Sequence, residues 1–114
     1  MGKVVYFATM PILYTGGVSC THKVGYFAEK EDAVMSSKIV ENILSKRKGM
    51  VEYSGYYSIS RKTIADNDQA KVYNSVQEFL TNNTHVIRYV KDKGQDALDA
   101  IVNQTLESEN ALSR

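Results

Sequence analysis

The spacing of apolar and polar side chains changes several times along the chain. Residues 3–9 read K-V-V-Y-F-A-T, a run of β-branched and aromatic side chains that suits a pleated, largely buried strand. Pro11 has no N–H to give to a central ladder, so it belongs at a strand end or edge. Gly16 and Gly17 supply the positive φ that a chain reversal needs. Residues 22–28, H-K-V-G-Y-F-A, read as the returning strand. The pattern predicts a β-hairpin over residues 3–28, with a long polar connection from Tyr14 to Thr21.

The spacing then becomes helical. Ala33, Ser37, Val40 and Leu44 recur at three- and four-residue intervals, flanked by Ser36 and Ile43, as on an amphipathic helix. Glu29, Glu31 and Asp32 stand at its start and Lys46, Arg47 and Lys48 at its end, an order that complements the helix dipole, and Gly49 suits a left-handed stop. A helix is therefore expected over residues 30–48. Met35 and Ile39 widen the apolar stripe onto a second flank, which calls for a second contact surface. A homodimer is the expected use of it.

Residues 50–65 hold Val51, Tyr53, Tyr56, Tyr57, Ile59, Thr63 and Ile64, with Gly55 between them. They read as one long Tyr-rich strand carrying a bulge or bend at the glycine. Asp66-Asn67-Asp68 is a turn cluster, and Lys71-Val72-Tyr73 reads as a short strand or an extended lead-in. Ser75, with Glu78 three residues later, forms a capping box that opens a short helix over residues 75–82. Residues 85–91 fit either a strand or a helical turn. Leu98, Ile101, Val102, Thr105 and Leu106 return to helical spacing and predict a helix over residues 95–109. The expected fold is α+β within a single domain, residues 1–114. An antiparallel sheet of three to four strands packs against one long helix, and C-terminal helices complete it.

Composition narrows the function classes. With 43% hydrophobic and 24% charged residues among 114, the chain has the make-up of a folded domain rather than a disordered one. Fourteen basic against thirteen acidic residues leave a net charge of +1, which argues against strong nonspecific attachment to nucleic acid. A single cysteine forms no intramolecular disulfide and points to a reducing, cytoplasmic compartment. No apolar run approaches the ~20 residues of a membrane span. Tyr6 occupies the position where a myristoylation signal has Ser or Thr.

Reactive groups are sparse. Cys20, His22 and His85 are the only cysteine and histidines. Cys20 and His22 share a strand face, yet a Cys–His nucleophile needs hydrogen-bond contact, an oxyanion site and an orienting group. The paired short spacing of a structural zinc site is missing. Glu31-Asp32 and Asp66/Asp68 are accounted for by a helix start and a turn. No phosphate loop, dinucleotide fingerprint or nucleophile elbow is present, so neither catalysis nor a cofactor or metal is expected.

Binding is the better-supported chemistry. Tyr14, Thr15, Gly16, Gly17, Ser19, Thr21 and His22 form a glycine- and hydroxyl-rich loop whose donors suit an anion. Tyr56 beside Arg61 and Lys62 suits stacking on a base and neutralising its phosphate. Met35, Ile39, Tyr53 and Tyr57 are the expected protein-interface residues. Arg61 and Lys62 would form a larger basic patch if they met Lys46, Arg47 and Lys48 in space.

Val5-Tyr6, followed by Gly25-Tyr26-Phe27-Ala28-Glu29-Lys30-Glu31-Asp32-Ala33, resembles a loose class of small uncharacterised bacterial and bacteriophage proteins. These share a V-Y strand and a V/G-x-F-S/A-x-K-E-x-A strand-to-helix junction. The resemblance covers the first half of the chain and concerns a structural junction, so no site residues carry over. It implies a phage or mobile-element setting, where small compact proteins bind host factors or signalling nucleotides. The expectation is a non-enzymatic phage counter-defence protein that sequesters a small anionic ligand such as a signalling nucleotide. An inhibitor or adaptor binding a host protein through Tyr53, Tyr56, Tyr57 and the acidic terminal helix is the alternative. A small enzyme using Cys20 and His22 comes last.

Overall fold

The computed structural model describes residues 2–14, 16–46, 51–54 and 57–112. Its organising element is the thirteen-residue strand β1 (Gly2–Tyr14). The hairpin partner β2 (Ser19–Phe27) runs antiparallel along one edge of β1. Two shorter strands, β3 (Val51–Ser54) and β4 (Ser58–Ala65), follow one another antiparallel along the other edge. They do so with a slip: Thr9 faces Ser58, but Ile12 faces Ser54, one residue short of continuous register. The Tyr-rich segment is thus two strands laid end to end on β1. Gly55, where the break was expected, lies outside the described residues.

The sheet is mixed rather than wholly antiparallel. A two-residue strand, β5 (Val72–Tyr73), pairs in parallel with the end of β2, Tyr26 with Val72 and Phe27 with Tyr73. The reason is the path of the chain. After β4 it does not turn back in a tight hairpin, which would make an antiparallel neighbour of β4. The connection from Asp66 carries it instead to the opposite edge of the sheet, where it enters in the direction of β2.

A bulge fixes how β2 meets β1. Ala8 faces Gly25 while Thr9 faces Lys23, so Val24 is an extra residue on β2. Two residues opposite one both turn toward the same face, and Val24 is 4% exposed. Gly25 holds φ +154, and a Cβ added there would stand 3.1 Å from Cε2 of Tyr73.

One face of the sheet carries the core. Ala8, Met10 and Ile12 alternate inward from β1 and, with Val24 and Phe27, form one apolar cluster with the helix α1 (Lys30–Ser45). Its Ala33, Ile39, Val40, Ile43 and Leu44 are buried. Ser36 and Ser37 are buried too. Ser37 Oγ donates back to the carbonyl of Ala33 at 2.7 Å, and their small size lets the helix approach closely.

Three further helices lie on α1. Ser75 opens α2 (Val76–Asn82) by accepting a hydrogen bond from the Glu78 N–H at 3.0 Å, as the capping box predicts. Asn83 then caps α3 (Thr84–Lys93), its side-chain oxygen accepting from the N–H groups of His85 and Val86. That cap decides the ambiguous residues 85–91 in favour of helix. Gly94, at φ +97, separates α3 from α4 (Gln95–Leu112). α4 crosses α1, with Asn42 Nδ2 donating to Thr105 Oγ1 at 3.0 Å. The second apolar flank of α1 is therefore covered within the chain. Ile39 is fully buried in the core and Met35 half-buried against it, so neither is the exposed interface residue the stripe suggested.

Phe27, Tyr73 and Phe79 meet ring to ring at 5.4–5.5 Å and tie β2, β5 and α2 together. Gly25→Ala presses on this cluster and strains the backbone. It should lower unfolding stability by about 1–3 kcal/mol, read as a reduced midpoint in urea denaturation with an unchanged slope.

Candidate functional site

Alternation along β1 sends its odd-numbered side chains to the face of the sheet away from α1. No described helix packs on that face. Phe7 and Tyr26, directly opposite in the β1–β2 register, stack there with ring centroids 4.6 Å apart and planes at 25°. Lys62, opposite Val5 on β4, places Nζ 4.7 Å from the centre of the Phe7 ring. Val5, its partner in the register, is 1% exposed. The result is a column, ammonium on Phe on Tyr, standing on the open face.

The charge around this column is one-sided. β1, β2 and β4 carry Lys3, Lys23, Arg61 and Lys62 and no aspartate or glutamate. Lys3 and Lys62 share the open face with the column, as does Lys23, opposite Thr9. Ser58 and Ser60 are exposed beside them, opposite Thr9 and Phe7.

The residues singled out in the sequence separate in this fold. Gly16 and Gly17 form the exposed reversal with positive φ. Ser19 and Thr21 are exposed on β2 opposite Leu13 and Pro11. Arg61 pairs with Tyr6; from Tyr6 to Tyr14, beside the reversal, is roughly 26 Å of strand. The loop and the Arg61–Lys62 pair are thus not one site. Nor do those two cations act together, because neighbours on a strand point to opposite faces: Lys62 joins the open face and Arg61 the other. Lys46 is exposed at the end of α1. Thr15, Arg47, Lys48 and Tyr56, and the side chains of Tyr14 and Tyr53, lie outside the described residues.

His22 turns away from the loop. It pairs with Met10, on the helix side of the sheet. Its ring meets that of His85 edge-on, centroids 4.4 Å apart and planes at 86°. Nε2 is buried with no hydrogen-bond partner among the described residues, and burial lowers the pKa below its ordinary value. A neutral, inward-facing imidazole is a poor anion ligand. Nor is it poised as a base for Cys20, which is exposed on β2. Among the described residues no group of three or more His, Cys, Asp or Glu side chains could hold a metal ion. No described helix is long and apolar enough to cross a membrane.

Two clefts open on the helical side. One, of about 340 Å³, lies between α1, the start of β4 and α4, lined by Lys38, Glu41, Asn42, Tyr57, Thr105 and Ser108. Burial raises the pKa of Glu41 against the pull of Lys38, and raises that of Tyr57 with the Glu41 charge adding to it. Tyr57 is half-buried there. The other, of about 310 Å³, runs between α2, α3 and α4 over Leu80, Val90, Leu98 and Val102, with Gln77 and Asp99 at its rim.

Sequence reading missed Phe7, Tyr26, Lys3 and Lys23 as site residues. Phe7 lies in a run that looks buried on both faces, and only the register shows its ring on the open one. The available signal was subtler: every charged side chain of the two hairpin strands is a lysine. Compared with known protein families, curated proteins and solved structures, the chain matches none, so its chemistry is read from its own residues.

The histidine pair has a consequence for stability. The folded state holds His22 below the ordinary value of 6.5, so the unfolded chain binds the proton more readily. Stability is full above that ordinary value and falls as pH drops through it toward the lowered one. Glu41, with its raised pKa, acts in the opposite sense at lower pH. The melting temperature should therefore fall between about pH 7.5 and 5.5. His22→Phe, which keeps a ring against His85, should flatten that slope; an unchanged slope would place its origin elsewhere.

Proposed function

We propose that this chain is a non-catalytic binding protein whose open sheet face takes up nucleotide units, a base together with its phosphate. The observation that carries this reading is the Lys62–Phe7–Tyr26 column on a face with three lysines and no acidic side chain from β1, β2 or β4. Aromatic rings stack on any base, at about 1–3 kcal/mol per base. A lysine next to the ring supplies the charge for the phosphate.

The exchange is simple. Without ligand, the Lys62 ammonium rests on the π-face of Phe7, an attraction worth about 0.5–1 kcal/mol at an exposed site. An arriving base takes that ring face, and the flexible, exposed lysine turns its Nζ to the phosphate. Ser58 and Ser60 offer hydroxyls beside the stack for base or sugar edges. No bond is made or broken. The position of Cys20 and the inward-facing His22 give a nucleophilic reading no comparable support.

The test is a solution titration followed by NMR. Adenosine and uridine monophosphates should shift the resonances of Phe7, Tyr26 and Lys62. Ribose 5-phosphate, which lacks the base, and adenosine, which lacks the phosphate, should each do so more weakly. Phe7→Leu should weaken nucleotide binding roughly 5- to 150-fold, the equivalent of one lost stacking contact. Shifts centred on Gly16 and Gly17, or none at all, would count against the reading.

A further inference from the structure

The cations on this face stand on both sides of the aromatic stack. Lys62 lies on β4 at the level of Val5, and Lys23 on β2 at the level of Thr9, with Phe7 and Tyr26 between them. Two inter-strand spacings across and four residues along put their backbones about 16 Å apart. Lys3 adds a third ammonium at the near end of β1, opposite Ile64. A mononucleotide phosphate engages one of these charges and leaves the others unmatched.

The face is also an open sheet surface, whereas small-molecule sites are concave and bury most of their ligand. The two clefts described above lie on the helical side instead. An open basic platform with stacked rings suits a chain that lies across it. Double helices keep their bases stacked inward, where Phe7 and Tyr26 cannot reach them; single strands can splay bases onto aromatic rings.

We infer that the ligand of this face is single-stranded nucleic acid, its backbone crossing the sheet obliquely from Lys62 to Lys23 with one or two bases on the Phe7–Tyr26 stack. This rests on the nucleotide-binding reading above. The near-neutral charge of the whole chain adds no general attraction to nucleic acid, so the electrostatic part rests on this face alone. Three lysines give a shallow electrostatic contribution, with a slope of log affinity on log salt near −2 for single strands.

The experiment is fluorescence anisotropy with labelled uridine and thymidine oligomers of about 12 residues, a duplex of equal length, and the mononucleotide titration run alongside. Either oligomer should bind at least tenfold more tightly than the mononucleotide and more tightly than the duplex, with the predicted slope. Lys23→Gln and Lys62→Gln, both at exposed positions, should each weaken oligomer binding several-fold and make the slope shallower by about 0.7. The ratio of the two oligomer affinities reads whether the 2′-hydroxyl is used. Equal affinity for oligomer and mononucleotide, with a slope near −0.7, would overturn this inference and leave the nucleotide reading standing. Binding of neither, or a sheet face covered by a second copy in sedimentation velocity, would overturn both.

Discussion

The molecule depends on a strand that is paired on both edges. Because β1 has β2 on one side and β3 and β4 on the other, it cannot rotate or slip without breaking two ladders at once. Its alternation is therefore locked, and a one-residue slip would send Ala8, Met10 and Ile12 into solvent and Phe7 into the core. That lock defines one face for the helices and another that carries the Phe7–Tyr26 stack.

The inner side is closed by α1, which touches the sheet with one flank and α2, α3 and α4 with the other. Such a helix must be apolar over a wide arc, and small where elements approach closely. Ser36 and Ser37 meet the second demand at some cost in hydrogen bonding. Ser37 is satisfied within its own helix, whereas Ser36 Oγ finds no partner among the described residues. Across the sheet edge, the Phe27–Tyr73–Phe79 contacts let a strand of two residues hold its place. Its parallel hydrogen bonds alone are too few to do so.

Legibility from sequence followed the range of the interactions. The hairpin, α1 and the Ser75 cap are specified by neighbouring residues, so composition and spacing disclose them. The extended character of Lys71-Val72-Tyr73 is legible too, but not its parallel pairing, because Val72-Tyr73 acquires its direction from the path of the connection before it. The breadth of α1 was legible, but its meaning was not: Met35 and Ile39 look the same whether a second chain or a later helix covers them. Cations suffered most. Arg61 and Lys62, adjacent in sequence, diverge in space, while Lys62 and Lys23, thirty-nine positions apart, flank one pair of rings. Only register brings such residues onto one surface. The stack itself hid in plain view, since Phe7 and Tyr26 each sit in a run whose composition signals burial.

The segregation of charge has an effect that the net value conceals. Four basic side chains stand on β1, β2 and β4 without an acid, leaving ten bases against thirteen acids elsewhere. Three of the four, Lys3, Lys23 and Lys62, share the open face, so that face is basic although the whole chain is nearly neutral. Under the proposal of a single-stranded ligand, such a face would turn the molecule sheet-first as it approaches a polyanion. The arrangement would then act on orientation during encounter more than on total attraction. Dissolved ions would blunt it while the fold itself stayed unchanged.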